Sequence, residues 1–498
     1  MRCPVCGTRR AFAGPVRVAL RVVCMGLCLQ VGTALHAQTF SDFLERVNNA
    51  PEGQRMSIVD SFVSANAVTP VIEFDTLAHF YYRAFVSAVS VPGDANGWNP
   101  ASAPMSKLSS TDFWYRTETY PPDARLDYKF VIGTSNWILD PRNPYQCSGG
   151  YGPNSELRMP QYVPAPEILY YAGIPHGTLR DTTMFSVNLG NSRTVRVYLP
   201  PGYDPAGPPY PMMLFHDGLE YITLAQANNV LDYLTYHQRI TPVVGVFVPP
   251  VNRTEEYAGS KMSQFSLFIV NELLPYIESR YNVRKDSASR AVLGASNGGN
   301  ISLWLGLNYP QVFGNIAAQS SNVVSSISSG FQYGPKLDLR FYLDLGTYDI
   351  AVLIPMVRNF AGILSSKGYD YQYVEYNEGH SWGNWRAHID NALEMFFPAP
   401  PTSVSQGVPE RGSATLFQNY PNPFNPKTEI VLDVPASGWV RLVVYDPVGR
   451  EVARLVDGPL EVGRHTVSFD ASGLGSGVYL CRMTTGGIVR TRAMLLVR

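Results

Sequence analysis

The sequence predicts a multidomain protein: a central α/β domain flanked by an N-terminal immunoglobulin-like β-sandwich and a C-terminal β-sandwich. Three observations carry this. Residues 69–165 alternate short strands with turn clusters. From 166 to 398, near-continuous apolar strands alternate with helical segments, the pattern of a parallel sheet covered on both faces. After a Pro/Ser-rich linker at 399–414, strands and Gly-rich turns return over 415–498. At 498 residues the chain exceeds one ordinary domain.

Residues 1–37 read as an export signal. Arg2, Arg9, Arg10, Arg17 and Arg21 precede any acidic residue, an apolar run spans Val22 to Leu35, and Ala37 offers a cleavage site before Gln38. The run is short for a membrane-crossing helix, so no stable membrane span is expected. Cys3, Cys6, Cys24 and Cys28 would leave with the signal. Cys147 and Cys481 remain, too few for a disulfide framework or a metal site, and whether they pair is open.

The mature part begins with a helical segment, 38–68, broken at Pro51-Glu-Gly53. Strands are expected at Val71–Phe74, His79–Arg83, Phe113–Arg116 and Leu126–Val131. In the α/β domain they are expected at Val195–Leu199, Met212–Phe215 and Val243–Val248, with helices over 224–236 and 262–280. Strands near 428–434, 439–446, 464–470 and 477–483 make up the last unit.

Composition sets limits. Charged residues make up 16% of the chain and the formal net charge is −1, which gives no general field for nucleic acid or an anionic membrane. A nucleic-acid partner is therefore not expected.

The chemistry centres on Gly294-Ala-Ser-Asn-Gly-Gly299, between an apolar strand (Arg290–Leu293) and a helical run (Ile301–Leu305). A strand–turn–helix of this kind exposes a serine oxygen on a tight turn, so Ser296 is the expected nucleophile. A serine needs a base, and the base needs an acid to fix its tautomer. Downstream, the strand Phe341–Leu345 runs into Gly346-Thr-Tyr-Asp349, and Tyr371–Tyr376 runs into Glu378-Gly-His380-Ser-Trp382. His380 is the expected base, ahead of His388, assigned to the closing helix, and His465, assigned to the last unit. Asp349 in the loop is preferred over Asp344 within the strand. Backbone N–H groups of Asn297 and Leu219 are expected to form the oxyanion hole. His216 and Asp217 lack ligand-spaced companions, so neither a metal nor a cofactor is expected.

Over residues 190–398 the chain resembles the α/β-hydrolase family that includes esterase D, feruloyl and acetylxylan esterases and enterochelin esterases. The resemblance rests on Tyr198–Tyr203, Leu214–Gly218, Arg253–Tyr257, Asn271–Ile277, Gly294–Gly299, Gly346–Asp349 and Gly379–Trp382. It implies a Ser296–His380–Asp349 triad. The preceding domain resembles early-set, glycogen-binding-like sandwiches through Gly93–Pro100, Tyr128–Val131, Asn136-Trp137 and Asp140–Pro144. There the positions matching Trp98, Lys129 and Trp137 touch sugar, although tryptophans that frame the neighbouring cleft are the plainer expectation. The last unit resembles type IX secretion sorting domains through Asn419–Pro426, Val444–Glu451 and Gly475–Tyr479.

The resulting expectation is a serine carboxylic-ester hydrolase, secreted or held at the outer cell surface after export through the periplasm. Its substrate would be a small-molecule or polysaccharide-linked ester, of the plant acyl or feruloyl type or the siderophore type, with the secretion machinery as partner of the last unit. A catalytically silent surface glycan-binding protein and an acyltransferase on the same fold are the alternatives.

Overall fold

The computed structural model describes residues 39–400, 415–419, 421–434, 437–446, 450–485 and 488–498. The expected signal and nearly all of the expected linker lie outside the described residues. The chain divides into two compact units, Met1–Pro400 and Pro401–Arg498. No helix among the described residues is long and apolar enough to cross a membrane.

The first unit is organised by an eleven-stranded sheet. Its centre is parallel and runs, in spatial order, Val244–Val248, Met212–His216, Arg290–Ala295, Asn315–Gln319, Arg340–Tyr348 and Asp370–Gly379. Asn191–Leu199 and Thr178–Ser186 extend one edge in antiparallel fashion. Successive side chains on a strand point to opposite faces, and here both faces are dry. Met212, Leu214, Val292 and Ile316 enter one apolar cluster, whereas Met213, Phe215, Leu293 and Ala317 enter the other. That double burial explains the unbroken apolar runs in the sequence.

Helices cover both faces. The helix expected over 224–236 is Ala227–Tyr236, and a separate short helix, Gly218–Thr223, precedes it; Gln226, with φ 56°, stands just before Ala227. The helix over 262–280 is continuous in space but has a π-turn at Phe268–Leu273. This absorbs the register change ahead of Pro275, which cannot donate to the helix. The closing helix is broken too, into Trp382–Ala387 and Ile389–Phe396. His388 stands at the break instead of inside a helix.

On its other edge the large sheet continues into the N-terminal part of the chain. Asp370–Gly379 pairs in parallel with Arg125–Tyr128 at Glu378–Arg125, and Gly152–Arg158 and Gln146–Gly149 follow antiparallel. The single strand expected at Leu126–Val131 is therefore two strands in different sheets. After Tyr128 the chain leaves the large sheet, and Phe130–Ile132 joins Val89–Ser90 and Asn136–Ile138.

A facing sheet holds Val71–Glu73, Leu77–Arg83, Phe113–Thr119 and Ser106–Lys107. Ala78, Phe80, Val91, Trp114, Leu126 and Tyr128 fill the space between the layers. The outer face of that sheet, with Tyr81 and Phe113, is covered by the helices Phe40–Asn49 and Glu52–Ala65 through Phe40, Phe43, Val59 and Val63. Thr39 starts the first helix, accepting from the Asp42 N–H at 3.1 Å while Asp42 accepts from the Thr39 N–H in a reciprocal cap. Residue 165, expected as a domain boundary, thus does not separate two bodies. The sheet runs through both.

The second unit has a three-stranded sheet (Thr415–Leu416, Lys427–Val434, Gly463–Asp470) and a four-stranded sheet (Glu451–Leu460, Gly438–Tyr445, Gly477–Thr485, Ile488–Leu496). Alternate residues Ile430, Leu432, Leu442, Val444, Cys481 and Met483 share one core. Glu451–Leu460 and Ile488–Leu496 had not been expected as strands.

Candidate active site

The parallel strands end on one edge, where Ser296, Asp349 and His380 each directly follow one of them. Ser296 follows Arg290–Ala295 directly and precedes the helix Asn297–Asn308, with φ 57° and ψ −121°. A non-glycine residue in that region costs on the order of 1–3 kcal/mol and persists only where its surroundings impose it. They do: its N–H donates to the Gln319 carbonyl at 2.8 Å, and its carbonyl accepts from the Asn322 N–H at 3.2 Å. A β-carbon at Gly294 would overlap the carbonyl of Gly298, so the helix can fold back on its strand only over a glycine.

Asp349 follows the strand Arg340–Tyr348, and His380 follows the adjacent strand Asp370–Gly379. Nδ1 of His380 lies 2.7 Å from Oδ1 of Asp349; the acid side chain is fully buried and the imidazole 18% exposed. The rival carboxyl, Asp344, accepts from Gln319 Nε2 at 2.9 Å, and burial pushes it up to about 6. Among the described residues no hydrogen bond joins the Ser296 hydroxyl to His380; such bonds are often open before substrate arrives. His388 is occupied elsewhere, bonded to Glu378 at 2.9 Å and stacked on Tyr376.

Asn297 opens the helix after Ser296, and Leu219 lies in the first turn of Gly218–Thr223, so both present N–H groups from helix N-termini. The two regions touch, since a β-carbon on Gly298 would lie 3.1 Å from Asp217 Oδ2. Asp217 has φ 54° and is gripped by Arg253, Nε to Oδ1 at 2.8 Å and Nη2 to Oδ2 at 2.7 Å. The same Nη2 donates to the Ala295 carbonyl at 3.1 Å, immediately before Ser296. This brace was missed in the sequence, where Arg253 figured only as part of a matching stretch. His216 is fully buried among Tyr257 and Phe265 with neither ring nitrogen bonded, and burial, helped by Arg253, takes its pKa down to about 3.

Aromatic rings line the other side. Trp385 meets His380 edge-on at 5.0 Å, Trp382 packs on Trp385, and Tyr221 packs on Trp382. Gln319 ties this wall to the sheet, bonded to the Tyr221 hydroxyl, Asp344 and the Trp385 carbonyl.

Trp98 and Trp137 do come together, with ring centroids 6.4 Å apart and planes 27° from parallel; Trp137 is 42% exposed. Trp98 Nε1 donates to Asp94 at 2.9 Å. Lys129 is half-buried, and its backbone N–H donates to the Pro92 carbonyl. For metals, Asp127, Cys147 and Glu156 form one group among the described residues whose ligand atoms lie within 4.8 Å of one another. The guanidinium of Arg125 already bonds both carboxylates there, which leaves no need for a cation. Cys147 and Cys481 are both free and buried.

Fold and site together define the class, an α/β domain of the esterase type with a strained serine at the end of a central strand. Residues 186–396 match the family described as "Putative esterase", and residues 418–497 match "Secretion system C-terminal sorting domain". The chain belongs to the first family and carries the second as a sorting tail, which implies export to the cell surface or beyond. The chain is 30% identical over 205 residues to the uncharacterized protein YbbA of Bacillus subtilis, covering 38% of this chain and 75% of that one. It is 28% identical over 281 residues to an iron(III) enterobactin esterase of Escherichia coli O6:H1, covering 51% and 69%. The enterobactin esterase from Shigella flexneri superposes with a TM-score of 0.58 at 21% identity, covering 68% of this chain and 97% of its own.

Proposed function

We propose that the protein is an exported serine carboxylic-ester hydrolase that uses Ser296, His380 and Asp349. The observation that carries this is the 2.7 Å contact between Asp349 and Nδ1 of His380, together with a serine held at positive φ at the end of another strand of the same sheet. Asp349 would fix the Nδ1–H tautomer and leave Nε2 to take the Ser296 proton as Oγ attacks the ester carbonyl. The oxyanion would receive the N–H groups of Asn297 and Leu219. His380 would then protonate the departing alcohol, leaving an acyl-serine, and water activated by the same imidazole would release the acid.

For the ester, the extent of the match favours the siderophore type. The alignment with the enterobactin esterase runs over 281 residues, whereas that with an endo-1,4-β-xylanase/feruloyl esterase of Xylanibacter ruminicola runs over 167 and covers 23% of that protein. The deciding experiment compares hydrolysis of a catecholate trilactone, feruloyl arabinoside and acetyl-xylan by the mature protein and by Ser296→Ala. Loss of all hydrolysis and of fluorophosphonate labelling in the variant is expected. Undiminished hydrolysis would end the proposal.

The Trp98–Trp137 pair, half open to solvent, favours a second reading, a glycan-binding surface on the N-terminal module. Loss of binding to insoluble polysaccharide in Trp137→Ala, with every ester still cleaved normally, would establish it.

A further inference from the structure

The N-terminal module reaches the turn that carries His380. Arg125 is fully buried, and its strand meets the histidine strand at Glu378. Nη1 of Arg125 donates to Oγ of Ser381, the residue after His380, at 3.0 Å, and Nη2 bonds Asp127 and Glu156. Glu156 is also held by Arg158 and Arg386. The fit is close on both sides of the histidine. A β-carbon at Gly383 would overlap Cζ of Arg125, and one at Gly379 would overlap the carboxyl of Asp94. Asp94 is itself fixed, accepting from the Asp127 N–H at 2.8 Å and from Trp98 Nε1 at 2.9 Å. From the hydrolase side, Asn384 Nδ2 closes the turn on the Gly379 carbonyl at 3.0 Å.

Stability alone gives little reason for this arrangement, because a buried ion cluster is often no more stabilising than apolar residues of similar volume. What a guanidinium adds is direction, a rigid planar fork that hydrogen-bonds at fixed angles. Two of its nitrogens set its position against Asp127, Glu156 and Ser381, and the turn bearing the imidazole rests on its central carbon.

We infer that Arg125 is a positioning residue for His380, seated beneath the Gly379–Gly383 turn and bonded to Ser381, with Asp94 supporting the same turn under Gly379. The active site is thereby completed by a residue of the N-terminal module, some 250 positions away in sequence. The inference rests on the reading of His380 as the general base.

The test uses the full mature protein and p-nitrophenyl acetate. Ser381→Ala removes only the bond from Arg125, and kcat should fall about tenfold with KM and Tm little changed. Gly383→Ala pushes the turn off the guanidinium and should cost on the order of a hundredfold in kcat, the scale of a misplacement of about 1 Å. Each change is also made in His380→Ala. A residue that acts through the imidazole should then cost nothing further, whereas a general structural defect would multiply the loss.

Wild-type kcat in Ser381→Ala, or equal fold losses with and without His380, would overturn the inference even if Gly383→Ala fails to fold. If His380→Ala itself hydrolyses at the wild-type rate, the general-base reading falls and this inference falls with it. Loss in His380→Ala with full kcat in Ser381→Ala would overturn the positioning role alone.

Discussion

Asp349 lies 2.7 Å from His380 just past the ends of two neighbouring strands, while Asp344, five residues earlier and within the strand, is turned to Gln319. The two carboxyls therefore make different predictions. Asp349→Asn should lower kcat/KM by roughly three to four powers of ten, because the amide favours the wrong imidazole tautomer. Asp344→Asn should cost less than about tenfold, since an amide still meets Gln319. Steady-state hydrolysis of one small ester ranks them, and the reverse ranking would make Asp344 the acid.

Arg253 braces Asp217 against the Ala295 carbonyl, which precedes Ser296. Removing it alone leaves Asp217 buried and unpaired. Its own side chain is 38% exposed, so solvent screening reduces the penalty to about 1–3 kcal/mol. Arg253→Leu should therefore be less stable in urea than Arg253→Leu/Asp217→Asn. If the double variant is the weaker, the pair is not acting as a charge brace.

His216 carries a pH signature. Burial lowers its pKa from 6.5 to about 3, so below about 6.5 the unfolded chain takes up a proton that the folded chain refuses. Stability from this group is complete above pH 6.5 and declines as pH falls toward 3. At pH 5 the loss is roughly 2 kcal/mol. His216→Phe should lose less Tm than the wild type between pH 7 and 5; parallel curves would deny the effect.

The sorting tail predicts a separation of properties. Because Pro401–Arg498 is a unit of its own and contributes none of the site residues, deleting residues 415–498 should leave kcat unchanged while abolishing delivery to the surface. Fractionated cultures assayed for hydrolysis check both halves. Normal secretion after the deletion would contradict the sorting role.

Much of the candidate site was legible because its proposed chemistry is local. The strand–Gly-x-Ser–helix pattern marked Ser296, and the ends of two apolar strands marked Asp349 and His380. The parallel sheet was legible because burial on both faces leaves unbroken apolar runs. The splitting of Leu126–Val131 was not, since a strand that changes sheets keeps its alternation and only its partners differ. Nor was the support from Arg125, whose sequence neighbourhood is an ordinary strand. The one available trace was the pair of glycines on either side of His380, which local turn geometry does not require: neither is among the positive-φ glycines. Their reason lies in the opposing module.

The shared sheet also bears on when such a chain becomes active. Arg125–Tyr128 is among the earlier strands to be synthesised, yet its edge stays open until Asp370–Gly379 arrives. Contacts so distant in sequence form late and slowly. If His380 is the base proposed above, completing this sheet and seating its imidazole would be one event, and Ser296 would stay idle until then. On that proposal, hydrolysis would begin only once Asp370–Gly379 had joined Arg125–Tyr128, so activity would report closure of the sheet.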